Sequence, residues 1–167
     1  LTEHIPMSPT GFFTKLKMEI QAIENTYQHT YQNTYQNTWK TQDEKTSAIH
    51  DDFLRTTTWS DLKAFEHLMK ALPVDSNLQM GNSSVVRYVQ LFTQRSDIHF
   101  NGNRGVAGID GSTSTATGAA FVNQRPTTMI TGDIAFFYDS NAFWNRHLTD
   151  NLRVILINNG GGNIFRI

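Results

Sequence analysis

The sequence predicts an α/β domain in which helices cover both faces of an open, mostly parallel sheet. Two observations carry this prediction. From Thr58 onward, short apolar runs typical of strands alternate with stretches in which apolar residues recur every three or four positions, as in helices. Short polar or glycine-rich stretches also fall at the junctions where a predicted strand leads into a helix.

Residues 1–57 form a first segment whose pattern differs from that of the rest of the chain. After Pro9, apolar residues recur at spacings of three and four, which predicts a helix. Its apolar positions are Phe12, Leu16, Ile20, Ile23 and Tyr27. We therefore expect a long helix in residues 1–57 and the α/β domain in residues 58–167.

An aromatic repeat continues this helix, with a Tyr or Trp at every fourth position from Tyr27 to Trp39. Aromatic residues at that spacing form a stripe on one helix face, which predicts burial against a neighbouring element. A stacking platform for nucleic-acid bases is the alternative. It would need interleaved positive charge, and the repeat has none before Lys40.

The second segment opens with a helix that starts near Ser60 and stops before Pro73. Its apolar face consists of Leu62, Phe65, Leu68, Met69 and Leu72. The strands that follow are predicted at residues 77–80, 97–100, 127–131 and 152–157. Helices are predicted between these strands, at about residues 83–92, 112–122 and 140–148.

Composition excludes several functions. The chain has 14 basic and 15 acidic residues without a Lys/Arg cluster, so it lacks the electrostatic footprint of a nucleic-acid-binding protein. Without cysteine it has no disulfide, thiolate zinc site or cysteine nucleophile. No apolar run is long enough to span a bilayer, and no basic segment followed by an apolar one opens the chain. A cytoplasmic location is therefore expected.

The strongest chemical signal is Gly132-Asp133 together with the later run from Asn158 to Gly162. One helix and one strand separate the two runs, so Asp133 and Asn159 are expected at neighbouring strand ends. Magnesium prefers oxygen ligands and takes one or two carboxylates, while phosphate oxygens and water complete its shell. Each run alone is also an ordinary turn or loop. Their ordered combination predicts a magnesium-diphosphate site.

Four polar stretches would share one edge of the predicted sheet, because the carboxyl ends of parallel strands lie together. They are residues 81–84, 101–111, 132–133 and 158–162. Helix amino termini at that edge offer free backbone N–H groups to a diphosphate. The glycines at 102, 105 and 108 do not match the dinucleotide-binding fingerprint, so a nucleotide-binding Rossmann domain is disfavoured.

These motifs resemble one enzyme family in both order and spacing over roughly residues 78–165. The matching segments are Gly81 to Arg87, Asn103 to Gly111, Gly132-Asp133 with Tyr138-Asp139 and Asn141-Ala142, and Asn158 to Phe165. The family is MenD, the 2-succinyl-5-enolpyruvyl-6-hydroxy-3-cyclohexene-1-carboxylate synthases of menaquinone biosynthesis. The resemblance implies the thiamine diphosphate (ThDP) binding fold, with residues 58–167 as most of its diphosphate-binding domain, truncated at the carboxyl end. Residues 1–57 would be the end of the central domain or a linker.

The resemblance also implies cofactors and their ligands. ThDP would bind with Mg²⁺, for which Mn²⁺ is a possible substitute, and Asp133, Asn159 and the Gly161 carbonyl would hold the metal. Ile109 would be the apolar wedge that bends ThDP, although as an isolated apolar residue it would otherwise be read as core. The other cofactor-binding residues implied are Ser83, Gly108, Asp110, Gly132, Ile134 and Ala135. Ser83 could equally be a plain helix N-cap.

Substrate binding is implied for two arginines and two apolar residues. Arg87 and Arg104 would bind substrate carboxylates, because a guanidinium forms bidentate hydrogen bonds with a carboxylate. With Ile109 they form the predicted catalytic set. Ile164 and Phe165 would form an apolar wall beside the substrate, or simply begin the next helix.

The implied reaction is ThDP-dependent decarboxylation of 2-oxoglutarate and addition of the product to isochorismate. The family's cofactor lies between domains of two subunits, so a homodimer or tetramer is expected, formed through a pyrimidine-binding domain that this chain lacks. The chain is then expected to be an inactive fragment of a longer enzyme. One rival is a pyruvate-specific ThDP enzyme such as an acetolactate synthase, and another is a non-catalytic domain that keeps the fold for binding or assembly.

Overall fold

The computed structural model describes residues 6–27 and 32–162, with side chains outside residues 22–33. Contacts between residues divide the chain into two compact units, Leu1–Thr56 and Thr57–Ile167. The first unit is helical and the second contains the sheet.

The first unit contains two helices, α1 (Pro9–Tyr27) and α2 (Gln32–Thr56). The Ser8 hydroxyl accepts a hydrogen bond from the Gly11 N–H at 3.1 Å and so caps the start of α1. Helix α1 confirms the helix that the spacing of the apolar residues predicted. Neither α1, α2 nor any other described helix combines the length and the apolar character that crossing a membrane requires.

The predicted burial of the aromatic repeat is wrong for the two members whose side chains are described. Tyr35 and Trp39 are 73% and 60% exposed. Their rings meet edge to face with centroids 6.1 Å apart. The spacing of four therefore pairs the two rings along the helix surface, where each covers part of the other, and does not require a second element. Tyr27 and Tyr31 lie outside the described side chains.

The second unit contains a four-stranded sheet in which every strand pair is parallel. Its strands are β1 (Ser76–Met80), β2 (Ile98–Gly102), β3 (Thr127–Gly132) and β4 (Leu152–Ile157), in the order β2-β1-β3-β4. The helices are α3 (Asp61–Ala71), α4 (Ser84–Val89), α5 (Ser112–Val122) and α6 (Asp133–Tyr138), followed by a 3₁₀ turn at Ser140–Phe143. The predicted α/β class and parallel sheet are confirmed.

Alternating side chains of the strands supply a core on each face of the sheet. On one face, Leu78 and Ile130 pack in a buried cluster with α3 and α4, whose contributions include Phe65 and Val89. Met129, next to Ile130, points to the opposite face and is fully buried. Helix α5 covers that face with small residues such as Ala116, which allow close approach to the strands. Helices therefore cover both faces, as predicted.

The chain changes direction in the middle of the sheet, and this defines the place of the site. From β1 it moves outward to β2, then returns to place β3 on the other side of β1. In open α/β sheets, ligands bind beyond the carboxyl ends of the strands at such a switch point. The register pairs Met80 with both Gly102 and Ile130, and Gly132 with Ile157. All four predicted polar stretches thus follow strand ends on one edge.

One predicted helix is wrong. The pattern at residues 140–148 predicts a helix, whereas the structure starts α6 directly at Asp133 and has only the 3₁₀ turn at Ser140–Phe143. The cause is Asp139, whose carboxylate accepts hydrogen bonds from the Ser114 N–H and hydroxyl at 2.7 and 2.6 Å. Its backbone lies outside helical geometry, with φ −133° and ψ 24°, which ends the helix.

Candidate functional site

A cavity of about 460 Å³ opens at the switch point between the carboxyl ends of β1, β3 and β4. Ten of the residues predicted from the sequence line it: Ser83, Arg87, Arg104, Gly108, Ile109, Gly132, Asp133, Ile134, Ala135 and Asn159. Their spread along the chain shows that the parallel sheet, and no single motif, assembles the site. Pockets of this size suit a small molecule or cofactor.

The turn after β1 contributes Ser83 to the cavity, and α4, which follows it, contributes Arg87. Gly81 begins this turn, and a Cβ there would lie 3.1–3.2 Å from atoms of Thr131 and Ile130, so the turn lies tightly against β3. Ser83 has φ 70° and ψ −125°, a strained conformation for a residue with a side chain, and its hydroxyl makes no cap bond to α4. Ser83 therefore occupies the N-cap position of α4, as the alternative interpretation predicted, but without the side-chain bond that usually stabilises a helix start.

Residues 103–111 form a loop after β2 that contributes Arg104 and Ile109. Asn82, which is only 4% exposed, connects this loop to the turn after β1. Its Nδ2 donates to the carbonyls of Asn103, at 2.8 Å, and Gly108, while its Oδ1 accepts from Arg104 Nη1 at 3.0 Å. Both ends of this buried amide are thus satisfied, which is the condition for burying it without penalty.

The predicted metal ligands lie on the other side of the cavity. Asp133 is the first residue of α6, and its Oδ1 accepts from the Ile134 N–H at 2.8 Å. Gly161 has φ +84°, and a Cβ on it would lie 3.7 Å from Asp133 Oδ2. Asn159 donates from Nδ2 to Asp61 Oδ2 at 3.0 Å. A carboxylate, an amide and a glycine-rich backbone therefore occur together.

These groups fit a magnesium ion that also binds phosphate. Mg²⁺ usually takes one or two carboxylates and completes its shell with phosphate oxygens and water. Among the described residues, no group of three or more His, Cys, Asp or Glu could hold a metal ion. A small donor set of this kind matches a metal shared with a bound diphosphate. Gly160 and Gly161 have left-handed backbone, with φ of 85° and 84°, a conformation that favours glycine over residues with a side chain.

The charges around the cavity are mixed. Arg87 and Arg104 supply two guanidinium groups, and Asp61 and Asp133 supply two carboxylates. Arg87 and Arg104 are both exposed, so their charged ends are accessible to a ligand. The cavity can therefore bind anionic groups at one part and a cation at another.

Two described residues of the predicted set, Asp110 and Gly161, do not line the cavity. The Asp110 carboxylate lies close to Gly108, and Gly161 lies next to the side chains of Asp133 and Ile134, which do line the cavity. Ile164 and Phe165 lie outside the described residues, so their predicted role as an apolar wall remains a prediction.

Several lining residues had no predicted role: Asp61, Phe65, Asn82, Ser84, Val85, Ala107, Ile157 and Gly162. Asn82 could have been found from its place in a polar turn directly after a buried strand. Asp61 gave only the signal of an acidic residue in the first turn of a helix, which the helix dipole explains by itself.

No protein-family model matches the chain, but curated proteins resemble it over its whole length. The 2-succinyl-5-enolpyruvyl-6-hydroxy-3-cyclohexene-1-carboxylate synthase of Flavobacterium psychrophilum is 46% identical over 167 residues, which is 100% of this chain and 29% of that protein. The synthase of the same name from Flavobacterium johnsoniae is 42% identical over 174 residues, with the same coverage. That of Porphyromonas gingivalis is 40% identical over 170 residues, 99% of this chain and 29% of that protein. The chain thus spans about 29% of the length of these relatives.

Proposed function

The chain belongs to the family of 2-succinyl-5-enolpyruvyl-6-hydroxy-3-cyclohexene-1-carboxylate synthases, and on that premise we propose that the full-length protein is a ThDP- and magnesium-dependent carboligase of menaquinone biosynthesis. It decarboxylates 2-oxoglutarate and joins the product to isochorismate. One observation carries this proposal: a single cavity is lined by two arginines as well as by Asp133 and Asn159. It thus combines groups for substrate carboxylates with groups for a metal-bound diphosphate.

Asp133, Asn159 and the Gly161 carbonyl would hold Mg²⁺ or Mn²⁺, whose charge would offset that of the cofactor's diphosphate. When bound, the cofactor supplies the electron sink that decarboxylation needs. The residues of the chain bind and orient the cofactor and the substrates, and they exclude water from the cavity.

Positioning of the cofactor falls to the small and apolar residues of the cavity. Ile109 would act as the apolar wedge that positions the cofactor, and Ser83 would present its hydroxyl to it from a strained backbone. Gly108, Asp110, Gly132, Ile134 and Ala135 complete the cofactor-binding set. Phe65, Val85 and Ile157 exclude water, which strengthens the electrostatic interactions inside the cavity.

The arginines select the substrates. Both 2-oxoglutarate and isochorismate are dianions, and Arg87 and Arg104 bind their carboxylates through paired hydrogen bonds. Pyruvate has no distal carboxylate, so an acetolactate-synthase-like enzyme would leave one of these arginines without a role. Ile164 and Phe165 are proposed to form the apolar wall beside the substrate.

The full-length enzyme is proposed to act in the cytoplasm as a homodimer or tetramer. Its pyrimidine-binding domain would complete the site from a second subunit, so this chain by itself is expected to be inactive.

Binding of ThDP by the full-length protein tests this proposal. Calorimetric titration should show ThDP binding that requires Mg²⁺ and that Asp133→Asn weakens by at least about tenfold. The control is Asp150→Asn, since Asp150 lies in the turn before β4 and does not line the cavity. Binding that ignores Mg²⁺, or that Asp133→Asn leaves unchanged, would contradict the proposal.

A further inference from the structure

Asn82 is the most buried polar residue that lines the cavity, and both its amide nitrogen and its amide oxygen have hydrogen-bond partners in the loop after β2. It is 4% exposed. Its Nδ2 faces three carbonyls of the loop after β2: Asn103 at 2.8 Å, Val106 at 3.5 Å and Gly108. Its Oδ1 accepts from Arg104 Nη1 at 3.0 Å.

The loop of residues 103–111 depends on such side chains for its shape. It contains no helix or strand. The Arg104 N–H donates a hydrogen bond to the Gly102 carbonyl at 3.0 Å, which connects the loop to the end of β2. Asn103, the first residue of the loop, donates from Nδ2 to Thr115 Oγ1 at 2.8 Å and to the carbonyl of Gly111, the last residue, at 3.3 Å, which ties both ends of the loop together next to α5. Asn82 contacts the carbonyls of Val106 and Gly108 between these two ends, so it determines the path of the middle of the loop.

We propose that Asn82 is a positioning residue that sets Arg104 and Ile109 for catalysis by fixing the loop of residues 103–111 to the turn after β1. The proposal rests on the proposed function, because that function assigns substrate binding to Arg104 and cofactor positioning to Ile109. The bond from Nη1 to Asn82 Oδ1 uses one N–H of the guanidinium and leaves the others free to donate to a carboxylate. The Gly108 carbonyl, held by the same amide, directly precedes Ile109.

Asn82 also connects the two substrate-binding arginines. It lies in the turn that leads through the strained Ser83 into α4, which carries Arg87. A single rigid amide therefore relates the element carrying Arg87 to the loop carrying Arg104. A dianionic substrate that bridges both arginines needs the distance between the two guanidinium groups to be constant, because a displacement of about 1 Å can cost a large factor in rate.

Asn151 provides a matched control. Its Nδ2 also donates to three carbonyls, those of Ala120, Asn123 and Arg125, at 2.9–3.1 Å. These bonds hold the end of α5 and the start of β3, and Asn151 does not line the cavity. Removing either amide takes away the same kind of interaction, but only Asn82 acts on the loop of residues 103–111.

The experiment compares Asn82→Ala and Asn151→Ala in the full-length protein, below the unfolding temperature of each variant. Two quantities are measured: the rate of tryptic cleavage after Arg104, identified by mass spectrometry, and the kcat and KM for 2-oxoglutarate with ThDP and Mg²⁺. For Asn82→Ala we expect cleavage after Arg104 and KM each to rise about tenfold, since buried partners left unsatisfied cost at least that factor. Asn151→Ala should change both by less than about twofold while lowering the unfolding temperature.

Other outcomes decide against the proposal. Unchanged cleavage after Arg104 in Asn82→Ala would overturn it, as would faster cleavage with an unchanged KM, or equal effects of Asn151→Ala. If Asn82→Ala does not fold, Asn82→Asp retains the volume but cannot donate to the carbonyls, so the same rise in cleavage is expected. A protein that turns over no 2-oxoglutarate would refute the proposed function, whereas the cleavage rates would still decide whether Asn82 holds the loop.

Discussion

Asn159 donates a hydrogen bond from Nδ2 to Oδ2 of Asp61 at 3.0 Å, across 98 positions of the chain. Asp61 lies in the first turn of α3, and Asn159 follows β4. The bond fixes the rotation of the Asn159 amide, so its nitrogen faces Asp61 and its oxygen is directed elsewhere. Both residues line the cavity that also contains Asp133. Asp61 thereby orients the amide through which Asn159 would bind a metal ion.

Removing Asp61 should weaken metal binding. In Asp61→Ala the amide of Asn159 loses its orienting partner, and we expect magnesium affinity in the presence of ThDP to fall about tenfold, the usual cost of losing such a support. Asp61→Asn keeps an oxygen that can accept from Asn159 and should retain most of the affinity. Calorimetric titration of the full-length protein measures both variants. Equal affinity in Asp61→Ala and the unaltered protein would contradict the orienting role.

Removing either arginine should weaken substrate binding. A charge-assisted hydrogen bond contributes about 1.5–3 kcal/mol, so Arg87→Ala and Arg104→Ala should each raise KM for 2-oxoglutarate about tenfold or more. The control is Arg153→Ala, an exposed arginine on β4 that does not line the cavity. Steady-state kinetics of the full-length enzyme provide the comparison. If both variants retained the original kinetics for 2-oxoglutarate and isochorismate, the arginine assignment would be abandoned.

Two glycines should respond in opposite ways to alanine. A Cβ on Gly81 would lie 3.1 Å from Thr131 Oγ1 and 3.2 Å from the Ile130 carbonyl oxygen, so Gly81→Ala should destabilise the fold by about 1–3 kcal/mol. Gly118 lies within α5 with no heavy atom near its Cβ position. Gly118→Ala should therefore stabilise the helix by roughly 0.8–1 kcal/mol. Urea unfolding measures both. Tolerance of Gly81→Ala would contradict the tight packing of the turn after β1 against β3, and destabilisation by Gly118→Ala would contradict the open space beside α5.

Acid should destabilise the second unit partly through Glu66. Hydrogen bonds from Lys63 and Lys70, with N···O distances of 2.7 and 2.6 Å, lower the pKa of Glu66 from 4.5 to about 2. Because the folded state binds this proton less readily than the unfolded state, the stabilisation is fully present above pH 4.5 and is lost as the pH falls toward 2. Glu66→Gln should show a shallower loss of unfolding temperature across that interval. An identical pH dependence would contradict the pairing.

Local sequence signals predicted those parts of the fold that local chemistry determines. Helix α5 and strand β4 have the predicted bounds, because turn residues delimit both of them. The helix predicted at residues 140–148 failed because Asp139 bonds to Ser114 in α5, a partner that periodicity cannot reveal. The exposure of Tyr35 and Trp39 likewise depends on which elements surround α2, and not on the spacing of its aromatic residues.

The sequence predicted the residues proposed to contact cofactor or substrate, but it did not predict the residues that hold those groups in position. Asp133, Asn159 and Arg104 follow strand ends, so the parallel sheet brings them to one edge. Asn82 and Asp61 gained their importance only through contacts with residues far along the chain, at Gly108 and Asn159. Such roles require the tertiary structure, since turn or helix-start chemistry explains both residue types equally well.

The most direct test of the proposed reaction is carbon dioxide release by the full-length protein supplied with ThDP and Mg²⁺. Release should be measured from 2-oxoglutarate and from pyruvate, each with and without isochorismate. We predict release from 2-oxoglutarate in preference to pyruvate, together with a carboligated product when isochorismate is present. Preference for pyruvate would assign the protein to another class of ThDP carboligase. No release from either substrate would contradict the catalytic account and favour a domain that keeps the fold for binding or assembly.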